Sequence, residues 1–393
     1  LTSGGDCPGL NAVIRAVTKT LEPEGVQIFG FVEGFTGLVE NRFMILDDKT
    51  TSGLLTVGGT ILRTSRNKPH KMPTPDGGYR DMTGAAVETY RRLNLDCLIC
   101  LGGGGTQKNA NRLKQQGLNV VTVPKTIDND VWGTDTCFGF DSGMAIACEA
   151  MDRLHTTASS HHRVMLVDIM GHNSGWLALG AGIATGADVI LIPEIPYDID
   201  VLAKSLLARM RRGKMFSIVA VAEGAISTEN AAKRDALLEE IKKLKEEGAE
   251  KGMKLEKEER SRRKKEAKEH HKEPVSVQLG EYLEEITGLE TRVVTLGHLQ
   301  RGGVPTPTDR LLSTKFGTMA ADCVLRGEYG VMVAKRGQEF VPVPLEEVVG
   351  NKRLVTLDHP WIQAARDVGT CLGDEMPHGY QEEHGKPMKR ARE

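Results

Sequence analysis

The segment LICLGGGGTQKNANRLKQQGLNVVTVPKTIDND, residues 98–130, decides the fold. Residues 98–101 are an apolar run of strand length, 102–105 are four glycines, 107–116 are helical in pattern, and 120–123 form a second β-branched run. Short aliphatic runs that alternate with helical stretches are the mark of a parallel α/β sheet. The alternation continues with runs at 164–169, 189–192, 218–221 and 293–296, and with a helix over 142–154 in which Met144, Ala147, Met151 and Leu154 share one face. A doubly wound α/β class is expected, with ligands held at the C-terminal ends of strands. Those ends carry the unusual residues: Gly4-Gly5-Asp6, Gly102 to Gly105, Thr126 to Asp130, Met170-Gly171 and Glu223.

The whole chain bounds what such a sheet can be. At 393 residues it suits two domains or one large α/β body. Hydrophobic residues at 39% and charged residues at 26% allow a sizeable core and exclude wholesale disorder. Lys and Arg number 51 against 53 Asp and Glu, so no global charge draws the chain to nucleic acid or an anionic membrane, and any basic site is local. No apolar stretch reaches the roughly 18 residues of a membrane span, and no signal peptide is visible, so a soluble cytoplasmic protein is expected. The seven cysteines are odd in number and scattered. Cys97 and Cys100 have a zinc-like spacing but lie in an apolar run without a second pair, which predicts buried free thiols. The opening LTSGGD reads as the end of a strand entering a glycine turn, with the start of that strand expected upstream of Leu1.

Two segments differ in composition. Residues 229–273 alternate Lys, Arg and Glu and read as an insertion. Leu237, Leu238, Ile241 and Leu244 stand at helical spacing there and predict a packed amphipathic helix, while 256–271 reads as solvated. The basic RSRRKK at 260–265 is flanked by glutamates, which favours a solvated helix face over a partner site. From Gly373 onward the chain is polar and expected to be loose, with a basic cluster at 386–392.

Several constellations bear chemistry. Gly103, Gly104, Gly105 and Thr106, between strand and helix, form a candidate phosphate loop, because glycines admit a ligand to the backbone and leave helix N-terminal amides for an anion. Neither the dinucleotide fingerprint nor a Walker A sequence is present. A second glycine turn lies in SGGDCPGLN at 3–11, with Gly5, and GGTILRTSR at 58–66 ends in Arg66, whose forked donors suit phosphate oxygens. Alone, each is as compatible with a plain turn or a surface ion pair. In PKTIDND at 124–130, Asp128 and Asp130 are two apart, so an extended segment points both to one side, where one can take a proton while the other helps hold a cation. A D-N-D triplet also makes a simple Asx turn. Downstream, Arg163, His172, Arg292, His298 and Arg301 stand near strand ends and could bind a second phosphorylated molecule. Glu223 is suited either to sugar hydroxyls or to a helix N-cap.

Taken together, SGGDCPGLN, PKTIDND, SSHHR at 159–163, Met170-Gly171 and GHLQRGG at 297–303 occur in the order and approximate spacing of a known family: the sequence resembles the phosphofructokinases from residue 1 to about 323, interrupted by the charged insertion. The resemblance implies two doubly wound, mainly parallel-sheet α/β domains of the phosphofructokinase type. A phosphoryl-donor domain would span 1–137, completed by 302–350; a sugar-phosphate domain 138–301, with the insertion at 229–273; and a C-terminal extension 351–393. It implies phosphoryl transfer to the 1-hydroxyl of fructose 6-phosphate, a step of glycolysis. Asp128 then matches the base and Asp130 a magnesium-associated carboxylate, with Thr126, Lys125 and Arg66 beside the transfer. Gly5, Arg66, Gly103, Gly104, Gly105 and Thr106 match the donor site. Thr126, Asp128, Asp130, Met170, Gly171, His172, Glu223, His298 and Arg301 match the sugar-phosphate site. Arg163 and Arg292 match arginines that reach a neighbouring subunit, so a homo-oligomer is implied.

The sequence departs from that pattern in ways that bear on the donor. Gly104 stands where the family usually has a metal-associated aspartate. His172 stands where an arginine commonly contacts the transferring group, and a histidine's charge depends on pH. Lys125 is typical of pyrophosphate users, whereas Gly105 leaves room for a nucleotide where those enzymes commonly carry a carboxylate. ATP is the expected donor, pyrophosphate the alternative, and a non-catalytic sugar-phosphate-binding subunit the reading that Gly104 and His172 would favour. Sedoheptulose 7-phosphate stays open as a further acceptor.

Overall fold

The computed structural model describes residues 1–251 and 274–377. By contacts it divides into two compact units: Leu1–Ala150 with Ile169–Leu177 and Leu296–Val355, and Met151–Asp168 with Ala178–Thr295 and the residues from Thr356 onward. The first unit thus runs past residue 137 and also takes in 296–301 and 351–355.

In the first unit, Ile28–Phe31 (β1) and Phe43–Leu46 (β2) form an antiparallel hairpin, and Met72–Pro73 (β3) pairs with Tyr79–Arg80 (β4). Its main sheet contains Leu98–Gly102 (β5) and Val120–Pro124 (β6). Their parallel register runs from Leu98 opposite Val120 to Gly102 opposite Pro124. β6 is buried along its whole length, as a strand covered on both faces requires. The core around it gathers Phe31, Phe35, Leu38, Leu113, Met332 and Leu345.

In the second unit, Val164–Ile169 (β7), Val189–Leu191 (β8), Ser217–Ala222 (β9) and Thr291–Thr295 (β10) line up in the order β10-β7-β9-β8, with β10 parallel to β7 and β8 parallel to β9. β7 and β9 are buried at every position. Back in the first unit, Val331–Arg336 (β11) and Glu339–Pro344 (β12) complete the main sheet in the order β12-β11-β6-β5. β11 is parallel to β6, while β12 returns antiparallel as the edge strand. An edge position tolerates Pro342 and Pro344, which could not donate to an inner ladder.

The long helix Phe140–His161 starts where it does because a distant carboxylate caps it. Asp309, wholly buried, accepts from the Gly139 amide (3.0 Å), the Ser142 amide (2.8 Å) and the Ser142 hydroxyl (2.6 Å). A negative charge at a helix N-terminus is favourable, and three donors offset the burial that pushes this carboxyl's pKa up.

The segment Thr228–Lys251 is helical, as the leucine spacing predicts. Leu237 is only half-buried and Leu238 is exposed, so at these positions the apolar face is not packed as expected. The side chains of Ile241 and Leu244, and residues 256–271 and 386–392, lie outside those described. At residues 373–375 the expected looseness is overturned: the Gly373 carbonyl accepts from the Asp198 amide at 2.8 Å, and Arg366 pairs with Asp374 and Glu375 at 2.6 and 2.5 Å. Cys97 and Cys100 are free thiols, Cys100 fully buried and Cys97 half-buried, and burial raises the pKa of both.

Candidate active site

Chain geometry in the first unit carries four loops to one sheet edge. Residues 1–3 run parallel to β5: the Leu1 carbonyl accepts from the Leu101 amide at 2.9 Å and the Ser3 amide donates to the Leu101 carbonyl at 3.0 Å. This register delivers Gly4 and Gly5 to the C-terminal end of β5, beside Gly102. The Gly4 amide donates to the Ser65 carbonyl at 2.9 Å and so draws Arg66 to the same edge. The end of β6 brings the segment from Lys125 to Asp130. These loops surround a pocket of about 380 Å³.

The helix Gly104–Gln115 begins inside the glycine run, three residues before residue 107. Gly104 and Gly105 are therefore its first turn, where amides lack intrahelical partners and attract anions. A Cβ built on Gly102 would come within 2.1 Å of the Thr106 hydroxyl, so glycine is required there, whereas at Gly104 and Gly105 it would meet nothing within 4 Å. Gln107, wholly buried, ties the loop to the strands: its amide donates to the Gly102 carbonyl at 3.1 Å and its carbonyl accepts from Thr122.

On the other wall, Asp128 and Asp130 both line the pocket, though not by the expected extended geometry. Asn129 has a φ of 53°, the left-handed region that asparagine tolerates, and the segment turns at residues 127–128. Asn129 is buried, and its side-chain oxygen accepts from the Cys137 amide at 2.8 Å, which holds the turn. The Asp128 amide donates to the Thr126 hydroxyl at 3.1 Å, and its carbonyl accepts from the Ser174 hydroxyl at 3.0 Å.

Cations dominate the lining. Arg66, Lys68, Lys108, Lys125, Arg301 and Lys352 contribute to it, against the carboxylates of Asp128 and Asp130. Lys125 is 3% exposed and donates its Nζ to the Gly5 carbonyl; burial pushes its pKa down, and nearby Arg301 adds to the fall. Arg301 packs against Gly5, where a Cβ would come within 2.3 Å of its Nη1, and donates to the Asp6 carbonyl at 3.3 Å. Such an excess of positive charge suits a polyanion.

A stretch after β12 completes the pocket and carried no sequence signal. Val348, Gly350, Asn351 and Lys352 line it. Residues 352–353 are bound to the aspartate loop by a backbone bridge between Val131 and Lys352 and by the Arg353 amide donating to the Asp130 carbonyl at 3.0 Å. The Arg353 guanidinium lies 4.0 Å from the Trp176 ring centre, and the Trp176 indole N–H donates to the Arg353 carbonyl at 3.1 Å. Lys352 Nζ reaches Asp130 Oδ2 at 3.1 Å. Nothing local in Gly350-Asn-Lys-Arg353 ties it to a loop more than two hundred residues away.

Of the expected residues, Gly5, Arg66, Gly103, Gly104, Gly105, Thr106, Lys125, Thr126, Asp128, Asp130, His172 and Arg301 line this one pocket. Met170, Gly171 and His298 belong to the first unit but do not line it; the Met170 amide donates to buried Gln300 at 2.9 Å. A Cβ on Gly171 would come within 2.4 Å of the Ser174 carbonyl oxygen, so the turn before His172 requires glycine. Arg163, Glu223 and Arg292 belong to the second unit. There Arg163 and Arg292 share Glu290, Arg163 at 2.9 Å. Asp168, near Glu223, has its pKa pushed up to about 6, first by burial and then by Glu223, with a hydrogen bond from Ser276 opposing the rise.

A larger cavity of about 510 Å³ in the first unit is lined chiefly by apolar side chains such as Ile14, Val17, Phe29 and Leu98, and it lacks a constellation able to handle phosphate. Among the described residues, no group of three or more His, Cys, Asp or Glu could by itself hold a metal ion. Asp128 and Asp130 do fit a cation that shares its coordination with donor phosphates, the usual arrangement for magnesium. No helix among the described residues is long and apolar enough to cross a membrane.

A parallel sheet with a glycine loop at a helix N-terminus, surrounding cations and a carboxylate pair defines an α/β protein built to hold a polyphosphate beside an acid–base group. Comparison with known proteins narrows the class. A model of the phosphofructokinase family matches residues 1–324. The ATP-dependent 6-phosphofructokinase of Propionibacterium freudenreichii subsp. shermanii is 51% identical over 385 residues, 95% of this chain and 98% of that protein. Its namesake from Spirochaeta thermophila is 50% identical over 384 residues, 95% and 96% of the two chains. Among solved structures, Pichia pastoris phosphofructokinase in the T-state superposes with a TM-score of 0.72 at 31% identity, covering 88% of this chain and 34% of that one. A pyrophosphate-dependent phosphofructokinase from Marinobacter aquaeolei superposes with a TM-score of 0.71 over 100% of this chain and 97% of its own, but at 20% identity this speaks for the fold alone. The chain belongs to the phosphofructokinase family.

Proposed function

We propose that this protein is an ATP-dependent 6-phosphofructokinase, an enzyme of glycolysis that moves the terminal phosphoryl group of ATP to the 1-hydroxyl of fructose 6-phosphate and forms fructose 1,6-bisphosphate. Two relatives named for that activity, about half identical over 95% of the chain, carry the reading. Gly105 supports ATP, because the space beside it is open where a carboxylate would obstruct the nucleotide. The binding-only reading is set aside, since those relatives are named as enzymes. Pyrophosphate as donor is favoured by one observation, the Lys125 amine in the donor pocket.

Phosphoryl transfer asks mainly for positioning and charge neutralisation. The first-turn amides of the glycine loop and Arg66 hold the donor phosphates. Asp128 takes the proton from the sugar hydroxyl, and the hydrogen bonds that pin its backbone through Thr126 and Ser174 fix where it does so. Lys125 places positive charge where the transferring group passes, and His172 stands where the family commonly has arginine. Asp130, together with donor phosphates, would hold a divalent cation, proposed to be Mg²⁺, which neutralises phosphate charge when bound. Met170, Gly171, His298 and Arg301 are proposed to meet the sugar phosphate. Arg163 and Arg292 are proposed to serve a neighbouring subunit of a homo-oligomer in the cytoplasm.

The test compares fructose 1,6-bisphosphate formation with ATP and magnesium, with pyrophosphate and magnesium, and with neither donor, on one preparation. Activity with ATP is the expected result. Activity with pyrophosphate alone would transfer the assignment to the Lys125 reading, and silence with both would overturn the enzymatic assignment.

A further inference from the structure

We propose that Lys352 is an exchangeable counter-ion of Asp130, a positioning residue that keeps a free divalent cation off this carboxylate until the phosphoryl donor supplies the remaining coordination. The inference rests on the reading of Asp130 as the cation-associated carboxylate. Three observations carry it. Lys352 Nζ stands 3.1 Å from Asp130 Oδ2, although the two are 222 positions apart. An ammonium at that distance cancels the charge that would draw a cation and occupies a direction from which the cation would approach.

The second observation is that only the tip of Lys352 is free to exchange. Its backbone is fixed by the bridge to Val131 and by the Arg353 amide on the Asp130 carbonyl at 3.0 Å, and Arg353 is itself held by Trp176. The side chain is 47% exposed, so a flexible four-carbon stem can swing from a carboxylate to an arriving phosphate while its root stays in place.

The third is the sparseness of carboxylates. Gly104 contributes none, leaving Asp128 and Asp130 on the pocket wall, and the described residues offer no ready-made metal cluster. With so few ligands, one neighbouring ammonium decides whether Asp130 attracts a cation by itself. A cation then enters with the donor phosphates, which supply the missing oxygens and give the displaced ammonium a new partner. Lys352 was not among the residues expected from the sequence, and it lies beyond the stretch matched by the family model, residues 1–324.

The experiment measures Mn²⁺ binding to the full-length protein without any nucleotide, following free Mn²⁺ by electron paramagnetic resonance. K352M should bind Mn²⁺ about fivefold tighter than the natural protein, the scale of a half-exposed ion pair. K352R should restore weak binding, and D130N/K352M should abolish the gain. K352Q, which keeps a polar side chain, repeats the test should K352M not fold. Equal affinity in K352M and the natural protein, or a gain that survives D130N, would overturn the proposal. D130N assayed with ATP separates the two readings. If it loses turnover while K352M leaves Mn²⁺ binding unchanged, only the counter-ion role falls; if it keeps full turnover, the reading of Asp130 falls and takes the proposal with it.

Discussion

The two walls of the pocket are built on opposite plans. On the glycine wall, Gly104 and Gly105 face open space, and a side chain added at either would touch nothing within 4 Å. On the aspartate wall, residues 125–130 are tied down by Gly5, Thr126, Ser174 and Cys137, with Asn129 locked in a left-handed turn. A donor of several phosphates needs backbone amides and room, which an unencumbered helix start supplies. A proton acceptor needs a fixed position, because a small misplacement costs much of the advantage of proximity. On the proposed function, binding and reacting are divided between a wall kept empty and a wall kept rigid.

That division can be broken most severely on the rigid side. Asp128→Ser should lower kcat by a factor on the order of 10³ or more, measured at saturating ATP and fructose 6-phosphate, as for a lost base in a positioned site. An unchanged kcat would remove Asp128 from that role. On the empty wall, Gly105→Asp should leave the thermal unfolding midpoint within a few degrees, because its Cβ meets no neighbour. It should nevertheless cut kcat/KM for ATP by about 10² through obstruction and repulsion of phosphate. If that variant unfolds, the wall is not open in the sense described.

Lys125 sharpens the comparison, because it trades stability for charge. Lys125→Met should reduce kcat by about tenfold or more, since one cation at the transferring group is gone. It should also change the response of stability to pH. With its pKa lowered in the folded state, the lysine binds fewer protons there than in the unfolded chain between that lowered value and about 10.4. This contribution makes stability rise with pH through the window, against the buried thiols, whose raised pKa values act the other way; the difference in stability between the natural protein and the methionine variant should therefore grow with pH. Urea unfolding of both proteins at a series of alkaline pH values checks the sign, and a difference that shrinks as pH rises would show that the amine is charged and well satisfied. The smallest effect is expected at Gly104→Asp. The side chain fits, and if Asp130 suffices for the cation, kcat should change by less than about threefold. A large rise, measured at saturating magnesium, would mean that the natural loop is short of a carboxylate.

The strands that define both sheets were legible wherever an apolar, β-branched run ended at glycine or proline. β7 lies at its expected positions, β5, β6 and β8 depart by one residue at one end, β9 by one residue at both ends, and β10 starts two residues and ends one residue before its expected bounds. The hairpin of β11 and β12 was not, since charged residues and Pro342 and Pro344 interrupt its period, which only an edge strand can accept. The motif loops named twelve of the residues that line the pocket, because glycine runs and paired carboxylates are local signals. Asp128 and Asp130 reach one pocket through a turn at Asn129 and not through the extended segment that their spacing predicts. Gln107 and Lys352 escaped notice because their work depends on partners in other elements, Gln107 on Thr122 and Lys352 on Asp130.

Lys352 reaches the site from outside the motif loops. The motif loops of the candidate site fall inside residues 1–324, the stretch matched by the family model, while the lysine that faces Asp130 comes from the chain beyond it. On the proposed reading, one substitution in a short downstream turn would retune the metal requirement while every motif loop of the site stays intact.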